Sequence, residues 1–307
     1  MNNKHYNTLD NYYKTKYNHK VAKISLNANF TCPNKDGTKG YGGCSYCSKL
    51  GSGDTAGDIK DSLTTQYQKI KAILDQKWSN LLYIPYLQAN SNTYGSVDKL
   101  KEIYEEILTI EPEKTIAIAI ATRPDCFNEE IYDLLTKINQ KKKVIIELGL
   151  QTSNEQTAKR INRCSTNEEF IDAVMNLKKR NIEVVAHIIN GLPNETEKDM
   201  LNTIDFINEL PIDGVKIHSL LILKETTLYE EYLIKPFPIL TLEEYVEITC
   251  KQIAKLRPNI ILHRLSADAK LEDLVEPAWT WKKLVVMNEI DKYLKKNNIY
   301  QGDKYKK

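Results

Sequence analysis

A regular alternation of strand-like and helix-like segments is the feature that most constrains the fold of this chain. Runs typical of strands cover residues 23–28, 81–88, 115–121, 144–151, 182–190 and 214–222. The segments between them, at 59–78, 97–110, 129–139, 155–180 and 195–209, have the character of helices, and the fourth is expected to break near Ser165. Six successive strand–helix units predict a parallel sheet covered by helices. Because a closed barrel of this type needs eight units, the sequence predicts an α/β fold with an open, partial (β/α)6 barrel.

The regions that flank this pattern divide the chain into three predicted segments. Residues 1–22 form an N-terminal arm, residues 23–225 the partial barrel, and residues 226–307 a C-terminal extension that begins near Pro236 and Pro238. Within the extension we expect a helix at 242–256, a short strand at 260–265 and a last helix near 281–296.

Composition excludes some classes of protein. Lys and Arg total 43 against 41 Asp and Glu, so the global charge gives no argument for nucleic acid. No apolar run approaches the roughly 20 residues that cross a bilayer, and the polar N-terminus lacks the apolar core of a signal peptide. We therefore expect a cytoplasmic protein without a membrane partner. Six cysteines in such a protein suggest metal or catalytic use rather than disulfides.

Polar residues recur on one face of several predicted strands. The pairs that share a face are Ser25 with Asn27, Gln88 with Asn90, Glu147 with Gln151, and Lys216 with His218. A barrel that needs only stability fills its interior with branched apolar side chains. The polar faces therefore favour an interior that holds a large polar ligand. The alternative is that they point elsewhere and hydrogen-bond to helices.

Three cysteines lie close together after the first strand. Cys32, Cys44 and Cys47 have the spacing C-x(11)-C-x(2)-C in a loop that contains four glycines. Thiolates are the usual ligands of iron–sulfur clusters, and three ligands leave one iron of a [4Fe–4S] cluster open. S-adenosylmethionine (SAM) can chelate such an iron, and an electron then cleaves a carbon–sulfur bond to release a 5′-deoxyadenosyl radical. Structural zinc is the alternative, but it takes four ligands and no second pair completes the set.

At these residues the chain resembles the radical SAM superfamily, whose motif ends in Cys, any residue, aromatic, Cys, as Cys44 to Cys47 do. The wide first gap is similar to the subgroup of the Elongator catalytic subunit, and closer still to the bacterial YtqA/YhcC group. The supporting stretches are FTCPNKDGTKGYGGCSYC, YLQANSNTY, TRPDC, ELGLQT, INR, HIINGLPNET, GVKIH and HRLSAD. They cover most of the chain.

This resemblance implies SAM-binding roles for residues at the carboxyl ends of the strands, where such barrels place their active sites. The implied residues are Gln88, Asn90 and Asn92 for the SAM amino group, Thr122, Arg123 and Asp125 at the end of the third strand, Glu147 and Gln151 near the ribose, and Gly191, Leu192 and Pro193 near the adenine. One departure is that Arg163 is followed by Cys164 and Ser165, where relatives often have Gly-His. We interpret Cys164 as an ordinary helix-end residue and Cys250 as core.

Candidate substrate contacts come from two regions. The arm interleaves lysines with tyrosines, and Tyr12, Tyr13, Lys14 and Lys16 are candidates for stacking on bases and contacting phosphates. The alternative is an arm that is disordered or packs against the protein, with lysines and tyrosines that reflect only a biased composition. Lys216 and His218 are candidate catalytic residues, and with Lys224 and Arg264 they are candidates for lining a cavity for an anionic substrate. Ordinary charges at strand ends are the alternative.

The resemblance points to the wobble uridine of tRNA, in a pathway to 5-aminomethyl-type side chains, as the substrate. It also implies an external electron donor of the flavodoxin or ferredoxin type. A second hypothesis is a radical SAM enzyme that acts on a small metabolite or peptide. A third is a non-catalytic iron–sulfur or zinc protein that binds RNA.

Overall fold

Seven parallel strands form the central sheet of the protein, in a computed structural model that describes residues 4–306. Within this range the strands in chain order are β1 Val21–Leu26, β2 Leu82–Leu87, β3 Ala117–Thr122, β4 Lys143–Gln151, β5 Glu183–Asn190, β6 Gly214–Ser219, β7 Ile222–Leu223, β8 Ile261–Arg264 and β9 Leu274–Glu276. The sheet has the order β1-β2-β3-β4-β5-β6-β8, and β7 pairs with β9 in a separate antiparallel ribbon.

Apart from the first and the last, the helices lie between successive strands of the sheet. They are α1 Leu9–Tyr17, α2 Leu63–Lys77, α3 Val97–Thr109, α4 Glu129–Lys141, α5 Glu155–Arg160, α6 Asn167–Lys179, α7 Glu197–Asn208, α8 Thr227–Ile234, α9 Leu242–Lys255 and α10 Lys283–Lys296. The break expected near Ser165 separates α5 from α6, and the capping box of Thr166 with Glu169 begins the second helix. Within residues 4–306, no helix has both the length and the apolar character that a membrane span requires.

The predicted α/β class and open parallel barrel are confirmed, and the sheet has one strand more than the six expected. The additional strand β8 comes from the C-terminal extension and pairs with β6. Its register shifts between Val215 and Lys216, so that His263 is an additional residue on β8, a β-bulge. The segment 226–307 therefore completes the same sheet as the predicted barrel.

The two faces of the sheet differ in character. The outer face packs against the helices in a large apolar core that includes Leu87, Ile146 and Phe170. The inner face is apolar only in the first halves of the strands, where Ile84 and Val185 contribute to a smaller apolar cluster. The remainder of the inner face lines a polar cavity. The polar faces in the sequence thus point into the barrel for most of the strands.

The N-terminal arm forms a helix that closes the amino-terminal end of the barrel. The side chain of Thr8 caps α1, and the backbone amide of Leu262 donates a hydrogen bond to the carbonyl oxygen of Asn7 at 2.8 Å. Tyr13 is only 5% exposed and packs in the inner apolar cluster with Ile84 and Val185. This burial favours packing over stacking on a base for Tyr13, because its ring already fills the end of the barrel. Tyr13 therefore packs in the protein interior.

Because Tyr13 fills this space, Tyr13→Ala should destabilise the protein by about 3 kcal/mol through the lost burial and the cavity that remains. The free energy of unfolding from urea titration checks this. Lys14→Ala is the control, since Lys14 makes only an exposed ion pair with Asp10, and it should change stability by less than about 0.5 kcal/mol. Equal stability of Tyr13→Ala and the unchanged protein would contradict the packing role.

Candidate functional site

A cavity of about 480 Å³ extends from the barrel interior to the carboxyl ends of the strands. Ligand cavities commonly span roughly 300–1,000 Å³, so the space suits a nucleoside-sized molecule. Its mouth is formed by the loop between β1 and α2, residues 27–62, which we call the cysteine loop. Its walls come from the inner face of the sheet. The part of the cavity that lies toward the amino-terminal ends of the strands is called the floor, and it is lined by Lys23, Glu147, His187, Lys216, His218 and His263.

All three cysteines of the motif line this cavity. Cys32, Cys44 and Cys47 are free thiols. Burial raises the pKa of Cys44 to about 12, and the neighbouring thiols of Cys47 and Cys32 add to the shift. Arg123 acts in the opposite direction, and a bound iron would favour the thiolate in the same way.

The cysteines do not converge on one ion. Within residues 4–306, no group of three His, Cys, Asp or Glu side chains could hold a single metal ion. In a cubane cluster each cysteine binds a different iron. The arrangement thus fits a cluster better than structural zinc.

The connection between α5 and α6 holds the cysteine loop in place. Asn162 donates from its side-chain amide to the carbonyl oxygens of Gly43 at 2.7 Å and Tyr41 at 3.2 Å. The amide of Ser45 donates to the carbonyl oxygen of Ile161 at 2.9 Å. The INR stretch quoted from the sequence is thus a support for the cysteine loop.

Two arginines, Arg163 buried and Arg123 partly buried, continue this support toward the strand ends. Arg163, 2% exposed, donates from Nη1 to the carbonyl oxygens of Leu150 and Thr152, both at 2.8 Å. Arg123 donates from Nη1 to the carbonyl oxygen of Arg163 at 2.7 Å and forms a bidentate pair with Asp125 at 2.8 Å. Arg123 lines the cavity, whereas Asp125 lies behind it and orients the guanidinium.

The predicted residues of the second strand have different roles. Gln88 and Asn90 line the cavity, and their side-chain amides donate to the carbonyl oxygens of Ser52 at 2.8 Å and Phe30 at 2.9 Å. Asn92 is fully buried outside the cavity, where its amide donates to backbone carbonyl oxygens at 2.9–3.2 Å. The side chain of Asn92 therefore does not face the cavity, and its contact with SAM stays a prediction that this position does not support.

Of the predicted residues at the ends of the third to fifth strands, some line the cavity and others do not. Thr122 and Gln151 line the cavity. Gly191, Leu192 and Pro193 do not, and Leu192 packs with Leu220 in an apolar cluster. The predicted adenine contact of this turn has no support in the geometry, because the Leu192 side chain is turned into that cluster.

Glu147 is the centre of the cavity floor and is fully buried. Its carboxylate pairs with the ammonium groups of Lys23 on β1 and Lys216 on β6, and accepts from Nε2 of His187 at 2.8 Å. Burial alone would raise the pKa of Glu147, but Lys216, Lys23 and His187 hold it well below its usual range. Burial lowers the pKa of His187 to about 4, so the neutral ring donates its Nε2 proton. Both carboxylate oxygens therefore already have partners within the floor, and the role of Glu147 at the SAM ribose stays a prediction.

Three floor residues were missed by the sequence reasoning: Lys23, His187 and His263. His187 and His263 lie inside stretches quoted for the resemblance, HIINGLPNET and HRLSAD. The alternation along β5, which places His187 on one face with Val185, could have indicated His187. His263 could not be assigned, because its inward direction depends on the bulge in β8.

The candidate substrate residues are not all at the cavity. Lys216, His218 and Arg264 line it, and Arg264 pairs with Asp268 at 2.9 Å. Lys224 is exposed outside it, with its ammonium group on the carbonyl oxygen of Glu272.

The two candidate lysines of the arm, Lys14 and Lys16, lie outside the cavity lining and interact within the arm. Lys14 pairs with Asp10 at 2.7 Å, and Lys16 donates to the hydroxyl oxygen of Tyr12 at 3.2 Å.

The remaining cysteines lie outside the cavity lining. Cys250 is core, as expected, Cys126 is buried, and Cys164 is exposed with its thiol 3.2 Å from Oδ1 of Asn162.

Comparison with known families gives two matches. The model of the Radical SAM superfamily matches residues 39–207, and that of the Radical_SAM C-terminal domain matches residues 212–296. Together they span the barrel and most of the extension.

Among curated proteins the chain is similar over nearly its whole length to two bacterial proteins. It is 39% identical over 299 residues to YtqA of Bacillus subtilis, covering 97% of this chain and 92% of YtqA. It is 31% identical over 290 residues to YhcC of Escherichia coli, covering 92% of this chain and 90% of YhcC. A shorter match, 28% identical over 137 residues, is to the tRNA-2-methylthio-N(6)-dimethylallyladenosine synthase of Fusobacterium nucleatum, covering 43% of this chain and 31% of that protein.

Among solved structures the fold is similar to the archaeal Elp3 of Methanocaldococcus infernus, with a TM-score of 0.68 and 16% identity. The match covers 92% of this chain and 64% of that one. At this identity the likeness concerns the fold alone.

The geometry of the floor predicts the effect of removing its carboxylate. Glu147→Leu leaves two buried ammonium groups without their partner and should cost about 3–5 kcal/mol of stability. Adding Lys216→Met should restore part of this loss because it removes one of the unpaired charges, giving a coupling energy of at least about 1 kcal/mol. Urea denaturation of the single and double variants measures it.

The control for this cycle is Glu105→Leu, which breaks an exposed pair with Lys141 and should cost less than about 1 kcal/mol. Additive effects of Glu147→Leu and Lys216→Met would show that the two groups are not coupled.

Proposed function

This chain belongs to the radical SAM superfamily, and from this premise we propose that it modifies the side chain of a tRNA wobble uridine, in a pathway to 5-aminomethyl-type uridines. Proteins of this superfamily use a [4Fe–4S] cluster and SAM. The observation that carries the enzymatic part of the proposal is that Cys32, Cys44 and Cys47 line the mouth of a cavity whose floor is polar and charged.

The residues of the cavity mouth fit these cofactors. Cys32, Cys44 and Cys47 would hold the cluster, and when bound, the cluster and SAM supply a 5′-deoxyadenosyl radical to the cavity. Asn162 and Arg163 fix the backbone of the cysteine loop and of β4 beside it. Gln88, Thr122, Arg123 and Gln151 present polar groups at the strand ends and are the proposed SAM contacts. An external electron donor of the flavodoxin or ferredoxin type and a cytoplasmic location remain predictions.

The tRNA substrate is supported by the resemblance to the Elongator-like subgroup and by the match to a synthase named for a tRNA nucleoside. The arm lends no support, because α1 packs against the barrel away from the cavity mouth. That packing favours a second candidate, a radical SAM enzyme that acts on a small metabolite or peptide. The third hypothesis, a non-catalytic metalloprotein that binds RNA, does not explain the charged floor.

Cys44→Ala should abolish the iron and acid-labile sulfide of anaerobically prepared protein, since a cluster ligand is lost. Cys250→Ala and Cys164→Ala should retain both, because the first thiol is core and the second lies outside the cavity lining. Iron and sulfide assays measure the result, with circular dichroism to show that each variant folds. Normal iron content in Cys44→Ala would refute the cluster assignment.

Loss of this protein should change the wobble nucleosides of tRNA. Mass spectrometry of tRNA nucleosides from cells that lack it should show one uridine derivative accumulating and its product missing. Restoration is expected with the unchanged gene and with Cys250→Ala, but not with Cys44→Ala. Identical nucleoside profiles, together with reductive SAM cleavage by the purified protein, would reject tRNA and favour the small-substrate candidate.

A further inference from the structure

The floor of the cavity carries an excess of positive charge. Lys216 and Lys23 both pair with Glu147, and their side chains are only 9% and 18% exposed, so two ammonium groups share one carboxylate. The other acidic residues that line the cavity have their own partners. Asp54 accepts from Oγ of Ser48 at 2.9 Å, and Asp268 pairs with Arg264 and Lys283. A buried excess charge is costly unless an opposite charge balances it.

The same floor has buried ring nitrogens without a partner. Among the residues the structure describes, Nε2 of His218 and both ring nitrogens of His263 are buried and make no hydrogen bond. Buried polar atoms are nearly always hydrogen-bonded in native proteins. These unpaired atoms therefore indicate that a polar ligand group completes the floor.

The fold places the His263 ring at this position. His263 is the bulge residue of β8, and its ring packs over Gly214, where a Cβ atom would lie 2.6 Å from Nε2 of His263. Any residue other than glycine at position 214 would displace the ring. The glycine at position 214 and the bulge in β8 together direct an imidazole into the cavity. A strand end with only a structural role would not need this arrangement.

The charge of the floor selects the class of ligand. A second metal ion is excluded for the described residues, because no three-residue His, Cys, Asp or Glu group there could hold one, and two ammonium groups would repel it. An anion meets the excess charge and accepts hydrogen bonds from imidazole N–H groups.

We propose that Lys216, His218 and His263 form a subsite for one anionic group of the substrate, a carboxylate or a phosphate. Glu147, which also pairs with Lys23, holds Lys216 in place from the side. The proposal rests on the proposed function only in that the ligand is taken to be the substrate of the radical reaction. Burial lowers the pKa of Lys216 to about 7, and a bound anion stabilises the ammonium form against this effect.

Histidine NMR of the full chain loaded with its cluster tests the subsite. The five histidines are labelled with 13C at Cε1, and the probes are acetate, methyl phosphate and neutral acetamide. Acetate or methyl phosphate should shift the His218 and His263 resonances in a saturable manner, and acetamide should not. His5 and His19, which hydrogen-bond to the carbonyl oxygens of Ile299 and Tyr17 outside the cavity, are internal controls. The anion that binds with the lower dissociation constant shows whether the subsite takes a carboxylate or a phosphate.

Variants separate this site from general charge effects. Lys216→Met should weaken the binding of the preferred anion by about tenfold or more, since a hydrogen bond to a charged group is lost. Lys224→Met, an exposed lysine outside the cavity, should leave it unchanged. If Lys216→Met does not fold, the NMR titration of the unchanged protein still tests the subsite. Lys23→Met, which also removes an ammonium group from the floor, provides a second variant.

Several results would overturn the proposal: no saturable shift, equal shifts with acetamide, or shifts of all five histidines together. Loss of anion binding when SAM saturates the protein would assign the floor to the carboxylate of SAM and would equally overturn it. Because the resonances report on the floor alone, this outcome is independent of the tRNA nucleoside profile, which tests the proposed function.

Discussion

The buried carboxylate of Glu147 is the interaction on which the interior of the barrel depends. It joins Lys23 on the edge strand β1, His187 on β5 and Lys216 on β6 to the central strand β4. The sheet is open, with β1 and β8 at its two edges. The pairs with Lys23 and Lys216 therefore connect strands that are not neighbours in the sheet. An ion cluster at this place fixes the distance across the barrel and keeps the cavity polar below the cysteine loop.

A second set of interactions fixes the mouth. The cysteine loop has little regular structure, and its conformation is set by contacts with the rest of the protein. Asn162 and the carbonyl oxygen of Ile161 hold the segment next to Cys44, while Arg163 ties the same connection to the end of β4. The residues after the fourth strand thus support the backbone that carries the thiols, and Arg163 also lines the cavity. A rigid support of this kind is what a site with three exact ligand positions requires.

The sequence allowed most of the fold to be predicted, because buried parallel strands and amphipathic helices leave a strong periodic signal. Strand β8 was located but not assigned to the sheet, since a strand of four residues gives no information about its partner. The arm was ambiguous because lysine and tyrosine suit both RNA binding and packing, and only the tertiary position of Tyr13 decides. For the site, the cysteines followed from spacing alone. Glu147 was placed in the cavity, but its ion pairs were not predicted, because its partners come from strands far apart in the sequence.

The charged residues of the floor are better suited to binding a ligand than to stabilising the fold. Buried ion pairs contribute little to stability compared with well-packed apolar residues, and the first halves of the same strands show that this barrel can be filled with apolar side chains. The charged floor is therefore better explained by binding than by folding. Helix α1 closes the barrel beneath it, so a ligand enters past the cysteine loop. A substrate whose anionic end reaches the floor would leave its other end near the thiols at the mouth. The floor would then determine which atom of the substrate faces the cluster, and so the position at which the reaction occurs.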